Sequence, residues 1–313
     1  MKKNAKIYIA GHTGLIGSML LLKLKEKGYK DLVVRRKDEL DLRSEGEVRD
    51  FFKKEIPEYV FLTAGKSGGI LANSEYPAQL IYENIKIESN VIHYAYKTGV
   101  KKLLYVGCSC LYPRDCPSPM KEDYLLSGPF EPTNEMFSIA KLSGLKMCQA
   151  YNKQYKTNFI CCITENIFGP NDKFDLRWSH VIAALIQRFH DAKIKKERTV
   201  TVWGSGEPVR SFMYVEDAAS ALIYLMEKYN SGEIINIGSN LEMSIKDLAE
   251  LIKDIVNFKG KIIYDTSKPD GSPRKVLDIK RFFSLGWKPR FSLEEGLKRT
   301  YQSYLLHHAS HTH

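Results

Sequence analysis

The residues best suited to chemistry near the N-terminus are three regularly spaced glycines. Gly11, Gly14 and Gly17 follow a β-rich run at Lys6–Ala10 and precede apolar positions at helical spacing over 15–27. Glycine in such a turn permits a tight bend and lets a pyrophosphate approach the backbone N–H groups of a helix N-terminus. The placement between a strand and a helix favours a dinucleotide-binding loop over an ordinary structural turn. The predicted cofactor contacts in this loop are Gly11, Thr13, Gly14, Leu15, Ile16 and Gly17.

A basic cluster follows the second predicted strand. Leu32–Val34 is followed by Arg35, Arg36 and Lys37, at the strand end that normally faces the adenosine ribose. An acidic residue here would favour NAD, whereas guanidinium groups suit the 2′-phosphate of NADP. The cluster therefore predicts NADP(H), with Arg35 and Arg36 at the 2′-phosphate, and a solvated basic turn is the alternative.

Two later runs add cysteine, lysine and hydroxyl chemistry. Residues 107–113 read GCSCLYP and residues 137–141 read FSIAK. Together with the glycine loop, they resemble the extended short-chain dehydrogenase/reductases and, within them, the GDP-L-fucose synthase branch of NADPH-dependent epimerase-reductases. The similarity extends through nearly the whole chain. It includes the runs SGGI at 67–70, EPTNE at 131–135, NIFGP at 166–170, SHVI at 179–182, VWGSG at 202–206 and SKPDGSPRK at 267–275.

The resemblance implies a reductase that uses a Ser, Tyr and Lys set, and the chain departs from that set twice. In the family, tyrosine protonates the alkoxide formed at C4, lysine lowers the tyrosine pKa and holds the nicotinamide ribose, and serine binds the substrate oxygen. Lys141 is present, but Phe137 stands at the tyrosine position and Cys108 at the serine position. Phenylalanine lacks the ionisable oxygen, and a thiol is a poorer donor than a hydroxyl. We therefore expect impaired reduction, with Ser109 as a substitute hydroxyl.

Two explanations of Phe137 stay open. An engineered replacement would preserve the ring while stopping turnover, so that a substrate complex can be trapped. Natural divergence would give an enzyme with altered chemistry or a protein that does not reduce. The intact run around Phe137 favours the first explanation, because only one oxygen is missing. Cys108 is more readily explained as a natural variant.

The resemblance also implies an epimerase. Protons at C3 and C5, both α to the C4 ketone, must leave one face of the sugar and return on the other, which requires a base and an acid. Cys110 and His180 occupy the family's epimerase positions, as base and acid respectively. An inert cysteine and a structural histidine are the alternatives. Because relatives that only reduce C4 have no use for this pair, its presence favours a bifunctional enzyme or retained epimerase chemistry.

The remaining family runs are expected to hold the two nucleotides. By the resemblance, Lys141, His180, Asp41 and Leu42 also contact the cofactor. Arginine forks suit a diphosphate and tryptophan offers a stacking face, although Arg188 could equally be a surface ion-pair partner. The predicted substrate-binding residues are Ser109, Asn166, Arg188, Trp203, Arg210, Asp270 and Lys275. Thr164-Glu165 replaces the Pro-Thr dipeptide expected before the asparagine, so the sugar is left open between a hexose and a heptose.

Short apolar strands alternating with helical segments must position these residues. The pattern predicts a Rossmann-type α/β fold, a doubly wound parallel sheet followed by a smaller α/β C-terminal substrate domain. The expected division is 1–166 plus about 212–237 for NADP, and about 167–211 plus 238–313 for the GDP-sugar. Family precedent implies a homodimer through helices near 77–98 and 134–155.

Composition narrows the classes of partner. The 313 residues include 47 Lys and Arg against 37 Asp and Glu, and 43% are hydrophobic, which is ordinary for a globular protein. No apolar run reaches the ~18–20 residues that span a bilayer. Six scattered cysteines indicate a reducing, cytoplasmic setting. Of the net charge of +10, +6 lies in 259–313, which contains the run 268–275 that the resemblance implies is near the GDP diphosphate, and the rest of this charge is interpreted as solvated surface. We therefore expect a GDP-4-keto-deoxy sugar as partner, with no nucleic acid, membrane or metal.

The histidines at 307, 308, 311 and 313 are interpreted as a solvated tail or cloning remnant.

Three other functions are alternatives for this sequence. A GDP-sugar 4,6-dehydratase typically needs Thr or Ser followed by an acidic residue near 108–110, which is absent. A non-catalytic NADP-binding regulator stays open, although the intact Lys141, Cys110 and His180 disfavour it. An epimerase-only GDP-sugar enzyme also stays open.

Overall fold

Helices and strands alternate in the order that the sequence predicts. A computed structural model describes residues 1–268 and 270–309, except for the side chains of 307–309. The histidine tail therefore lies outside the described side chains. The helices are α1 (Leu15–Glu26), α2 (Glu45–Glu55), α3 (Ile70–Glu75), α4 (Pro77–Lys97), α5 (Glu135–Tyr155), α6 (Val181–Ile194), α7 (Val215–Lys228), α8 (Ile245–Val256), α9 (Lys280–Ser284) and α10 (Leu293–Ala309). The strands are β1 (Ile7–Ala10), β2 (Leu32–Val33), β3 (Tyr59–Leu62), β4 (Lys102–Cys108), β5 (Phe159–Thr164), β6 (Asn166–Phe168), β7 (Thr199–Trp203), β8 (Val209–Tyr214), β9 (Ile235–Ile237), β10 (Leu241–Ser244), β11 (Lys261–Asp265) and β12 (Arg274–Lys275).

The main sheet has six parallel strands in the order β2-β1-β3-β4-β5-β9. The chain first steps from β1 to β2 and then returns past β1 to β3. The connections after β1 and β3 therefore diverge and leave a crevice at the carboxyl ends of these two strands, where open α/β sheets bind ligands. The predicted Rossmann-type fold is confirmed.

Side chains of the central strands alternate between two cores, one on each face of the sheet. In β4, Leu103 and Tyr105 join the core that α4 and α5 cover, whereas Leu104 and Val106 join the core that α1 and α7 cover. Both faces are thus withdrawn from water, which explains why these strands are continuously apolar and do not alternate with polar residues. Burial on both sides makes the sheet a rigid base for the loops at its carboxyl edge.

A smaller sheet is built around β8. Its order is β10-β8-β12, and β6 also pairs with β8. A separate two-stranded ladder joins β7 and β11. Because β8 ends at Tyr214 and α7 begins at Val215, this sheet is connected directly to a helix of the main core. The predicted domain boundaries stay a prediction. Among the described residues, no helix combines the length and apolar character needed to cross a bilayer.

Candidate active site

The glycine loop occupies the crevice between β1 and β3. Gly11 has a φ of +92°, and a Cβ there would lie 2.7 Å from the backbone of Ala64, just beyond β3. A Cβ on Gly17 would lie 2.1 Å from the carbonyl oxygen of Gly11. Gly14 precedes α1 without a side-chain cap, and a Cβ there would meet only an ordinary 3.5 Å contact. Two glycines are therefore required by the protein's own packing, and Gly14 leaves space for a ligand at the helix N-terminus.

The two arginines after β2 have different surroundings. Arg35 pairs with Glu55 at 2.6 Å and lies 5.7 Å from the centre of the Phe51 ring. The side chain of Arg36 is 64% exposed, and its guanidinium lies 3.3 Å from Asp38 and 3.9 Å from Glu39. Arg36 is also close enough to the glycine loop to act electrostatically on the pKa of His12, which burial lowers. Arg35 is therefore held by the fold, whereas Arg36 faces solvent next to the loop.

Asp41 and Leu42, the other predicted cofactor contacts, are anchored by their neighbours. Both carboxylate oxygens of Asp41 accept from Arg43, which lowers the pKa of Asp41 to about 2. The Leu42 carbonyl accepts from Nδ2 of Asn90 in α4, at 2.9 Å. These bonds fix the backbone after β2 against α4.

Two thiols meet where β4 ends. The Sγ atoms of Cys108 and Cys110 are 2.7 Å apart, and both side chains are partly exposed. A short 3-10 helix spans Ser109–Leu111, and the Cys110 carbonyl accepts from the hydroxyl of Ser138 in α5 at 2.9 Å. Ser109 is buried. The strand end and α5 therefore position the thiol pair.

The environment of the pair favours one thiolate. The pKa of Cys110 lies below its ordinary value, mainly because the Cys108 thiol hydrogen-bonds to it. Burial opposes this change, while the positive charges of Lys275 and Lys141 support it. The same hydrogen bond and burial raise the pKa of Cys108. Cys110 is therefore the stronger candidate for a base, because its sulfur is the one that ionises.

Phe137 and Lys141 lie one helical turn apart on α5, as the family motif requires. The Lys141 ammonium pairs with Glu88 of α4 at 2.9 Å, and both side chains are almost completely buried. It also lies 4.3 Å from the centre of the Tyr105 ring, and the Tyr105 hydroxyl donates to the Lys141 carbonyl at 2.8 Å. The charge of Lys141 is thus held by a carboxylate behind the site.

Sequence reasoning missed Glu88. The available signal was its position in the stripe Leu80, Asn84, Glu88 and Ile92 of α4, whose side chains are all buried. A carboxylate among residues at this spacing requires a buried partner. The sequence does not show that Lys141 is that partner, because the two residues lie on different helices and are 53 positions apart in the chain.

His180 occupies the N-cap position of α6 without a capping hydrogen bond from its side chain, and part of the residue is open to solvent. Dense protein around the imidazole lowers its pKa, and the nearby charge of Lys173 lowers it further. The preceding segment is fixed, since the N–H of Gly69 donates to the Trp178 carbonyl at 3.1 Å. A Cβ on Gly69 would lie 2.3 Å from the Ser179 carbonyl oxygen. The SGGI run therefore holds the His180 segment against the loop after β3.

Trp203 and Arg188 are brought together as candidate nucleotide contacts. The Arg188 guanidinium lies 5.4 Å from the centre of the Trp203 ring and donates to the Thr201 carbonyl at 3.1 Å. Lys268 lies 5.6 Å from the same ring. Trp203 is 39% exposed, so an apolar face flanked by two cations is open to solvent.

The pairing of β12 with β8 brings Lys275 beside Arg210. Arg210 donates to the Ser272 carbonyl at 2.8 Å, and Asp270 accepts from the backbone N–H of Ser205 at 2.7 Å. Lys275 also lies near enough to Cys110 to favour its thiolate. The predicted phosphate contacts and the predicted base are therefore on adjoining surfaces.

Asn166 and Glu165 lie between the two sheets. Nδ2 of Asn166 donates to the Ser211 carbonyl at 2.9 Å. One oxygen of Glu165 accepts from the N–H of Ser239 at 2.9 Å, and the other has no hydrogen-bond partner within the described part of the chain. Burial raises the pKa of Glu165 to about 7.

Comparison with known proteins identifies the class. The model of the NAD dependent epimerase/dehydratase family matches residues 7–238, and the chain belongs to this family.

Within it, the chain is similar to GDP-L-fucose synthases. It is 49% identical over 303 residues to GDP-L-fucose synthase 1 of Arabidopsis thaliana, covering 97% of this chain and 94% of that protein. The crystal structure of a GDP-6-OMe-4-keto-L-xylo-heptose reductase from C. jejuni matches with a TM-score of 0.94 and 36% identity, over 98% and 99% of the two chains. A GDP-L-fucose synthetase from Naegleria fowleri bound to NADP matches with a TM-score of 0.91 and 28% identity, over 99% and 97%. The resemblance found from the sequence is confirmed.

Proposed function

We propose that this chain uses NADP(H) and catalyses 3,5-epimerisation of a GDP-4-keto-6-deoxy sugar, with 4-reduction impaired by Phe137. The observation that carries the proposal is the partly exposed Cys110 thiol at the carboxyl edge of the sheet, 2.7 Å from Cys108 and within the electrostatic influence of Lys141 and Lys275. The similar proteins include GDP-L-fucose synthases and a GDP-heptose reductase, which supports a GDP-sugar as substrate.

The residues present suit NADP(H). The glycine loop leaves backbone N–H groups at the start of α1 for a pyrophosphate, because Gly14 carries no side chain and no cap. The exposed guanidinium of Arg36 is available for the 2′-phosphate. Arg35 contributes by its charge, since Glu55 already holds its guanidinium. When bound, NADPH supplies the hydride for reduction at C4.

The thiol pair supports epimerisation. The Cys110 thiolate would take the proton at C3 or C5, and the Lys141 and Lys275 charges would stabilise the negative charge that develops on the enolate. His180 would return the proton from the other face. Only its imidazolium form can give up a proton, and the lowered pKa makes that form the stronger acid.

Reduction at C4 lacks its proton donor. The developing C4 alkoxide needs a proton, and Phe137 has no group that can give one. Lys141 is intact and pairs with Glu88, but the residue one turn before it on α5, Phe137, offers no phenol that its charge could activate. The epimerase-only alternative also depends on Phe137, because it assumes that the chain cannot reduce C4.

Deuterium exchange tests the proposal. The chain incubated with GDP-4-keto-6-deoxymannose and NADPH in deuterated water should exchange the C3 and C5 protons, measured by NMR, while oxidising little NADPH. Cys110→Ala should abolish the exchange because the base is gone. The matched control is Cys116→Ala, which removes a third partly exposed thiol and should leave the exchange intact.

Two results would contradict the proposal. Rapid NADPH oxidation by the unaltered chain would show that Phe137 does not impair reduction. Calorimetric binding of NADP(H) without any binding of a GDP-sugar would favour a non-catalytic regulator.

We also propose a homodimer through α4 and α5. Tyr82 is 62% and Ile85 is 38% exposed on the face of α4 that points away from its buried stripe. Tyr155, near the end of α5, is also exposed. A second copy would cover these apolar side chains by packing its own α4 and α5 against them.

A further inference from the structure

The two thiols at the end of β4 differ from the other described cysteines in being adjacent and accessible. Cys108 and Cys110 are partly exposed with Sγ atoms 2.7 Å apart. Cys148, Cys161 and Cys162 are buried, and oxidants reach buried thiols poorly. Cys116 is partly exposed, and its Sγ contacts the Pro117 carbonyl at 3.5 Å. The chain therefore holds one accessible thiol pair, among the residues that the structure describes.

The pair combines an attacking and a resolving thiol. Positive charges from Lys141 and Lys275 favour ionisation of Cys110, while Cys108 keeps its proton. A thiolate is the form that oxidants attack, and a neighbouring thiol can complete the reaction.

We propose that Cys108 and Cys110 form a reversible oxidation site, at which a hydroperoxide converts the two thiols into an intramolecular disulfide. The consequence for activity rests on the proposed function, in which Cys110 is the epimerase base; the oxidation itself does not. In a disulfide, the electron pair with which the Cys110 thiolate would take a proton forms the S–S bond, so the oxidised enzyme has no base.

The chemistry proceeds in two balanced steps. The Cys110 thiolate attacks one oxygen of the hydroperoxide, the O–O bond breaks, and a sulfenic acid and an alcohol or water result after protonation by solvent. The Cys108 sulfur then attacks the sulfenic sulfur, an S–S bond forms, and the S–O bond breaks to release water together with the Cys108 proton. The two electrons lost by the thiols reduce the peroxide, and a dithiol reverses the change by thiol-disulfide exchange.

The geometry places Cys108 where it can resolve an oxidised Cys110. The sulfur atoms lie 2.7 Å apart, against ~2.05 Å in a disulfide, so they need to approach by less than ~1 Å to bond. With serine at 108, as in the family motif, Cys110 would have no thiol at this distance. Its sulfenic acid would then be open to further, irreversible oxidation. Cysteine at 108 therefore protects the base by trapping it in a recoverable form.

Mass spectrometry tests the site without an activity assay. The protein is treated with hydrogen peroxide, its free thiols are alkylated and it is digested with trypsin. Peptide 103–114 carries Cys108 and Cys110, whereas Cys116 lies in peptide 115–121. We expect peptide 103–114 to lose two hydrogens and both alkyl groups, and dithiothreitol to restore both. Alkylation of both thiols after peroxide treatment, or a disulfide that joins Cys116, would overturn the proposal.

Variants and an exchange assay distinguish the oxidation of the two thiols from its effect on the proposed epimerase activity. Cys116→Ser should oxidise and recover as the unaltered chain does. In Cys108→Ser, the share of Cys110 that dithiothreitol recovers should fall at least ~10-fold, with sulfinic acid in its place. Deuterium exchange at C3 and C5, measured before and after oxidation, should disappear with the disulfide and return on reduction. Exchange that persists in the fully oxidised protein would overturn the role of Cys110 as base, while the mass shift would still establish the oxidation site.

Discussion

At the scale of single residues, a missing oxygen and an additional sulfur separate this chain from the family pattern. Phe137 keeps the ring of the catalytic tyrosine without its proton, and Cys108 places a thiol where the motif has a hydroxyl. The sulfur of Cys108 lies 2.7 Å from that of Cys110. The substitution at 108 thus changes the ionisation of its neighbour, whereas the substitution at 137 only removes a donor.

Restoring the missing oxygen should restore reduction. In Phe137→Tyr, the phenol would lie one turn from Lys141 on α5, where the ammonium can favour its ionised form. Because general acid catalysis contributes ~10²–10⁴-fold, kcat for NADPH oxidation with the GDP-4-keto sugar should rise by that factor. Steady-state absorbance of NADPH measures the change. Deuterium exchange serves as the control, since it depends on Cys110 and should change little; an unchanged NADPH rate would disprove the interpretation of Phe137.

Glu165 should make stability depend on pH. Its carboxyl ionises near 4.5 in the unfolded chain and at about 7 in the folded one. Between these values the unfolded chain releases a proton that the folded chain keeps, so rising pH favours unfolding. Below about pH 4.5 the contribution is fully present, and it is lost as pH passes about 7.

Urea unfolding at several pH values measures this effect. The free energy of unfolding of the unaltered chain should fall by about 3 kcal/mol relative to Glu165→Gln as pH rises from 4.5 to 7. Glu294→Gln alters an exposed carboxylate and should show no such pH-dependent difference. Parallel pH profiles for the unaltered chain and Glu165→Gln would rule out the buried-carboxyl explanation.

At the scale of elements, the packing of α4 against α5 positions the chemistry. Glu88 on one helix meets Lys141 on the other, and Tyr105 of β4 lies beneath both. A Cβ on Gly144 would lie 2.4 Å from Oε2 of Glu88, so the helices can approach only because that position is glycine. The position of Lys141 is therefore determined by two helices and a strand together.

Removing the buried carboxylate should destabilise this packing. Glu88→Gln leaves the Lys141 charge buried and unpaired, which costs about 3–5 kcal/mol of unfolding free energy. The urea midpoint measures the loss. Glu294→Gln breaks the exposed pair with Lys298, each side chain being 57% exposed, and should shift stability by less than ~1 kcal/mol. Equal effects of the two variants would show that the Glu88–Lys141 pair does not stabilise the fold.

At the scale of the whole molecule, the two sheets would serve the two anionic nucleotides of the proposed function. The main sheet presents the glycine loop and Arg36, while β8 and β12 present Arg210 and Lys275. Of the basic residues in 259–313, Lys275 lies on this second surface, whereas Lys298 and Arg299 pair with carboxylates of α10. The net charge is thus consistent with two phosphorylated small molecules and does not need a polymer to explain it.

The proposed dimer makes a prediction at the same scale. Tyr82→Glu combined with Ile85→Glu would place two carboxylates in the proposed α4 and α5 interface and should separate the copies. Sedimentation equilibrium should then give a mass near 35.9 kDa, against twice that for the unaltered chain. Ile194→Glu alters an exposed apolar residue at the end of α6 and should leave the dimer intact. A mass of 35.9 kDa for the unaltered chain would refute the dimer.

The sequence by itself determined the features that depend on local pattern. The spacing of Gly11, Gly14 and Gly17 between a strand and a helix, and the apolar runs of β1, β4 and β5, were sufficient for the fold class. These features follow from backbone sterics and from periodicity, which act over a few residues.

Only the tertiary structure decided which ionisable groups that are distant in the sequence interact with each other. It pairs Glu88 with Lys141 and Glu55 with Arg35. It also brings the charge of Lys275 near Cys110. It also set the 2.7 Å separation of the two thiols, which depends on how β4 ends against α5. Coulomb and hydrogen-bond energies depend on distance and burial through space, and separation along the chain determines neither.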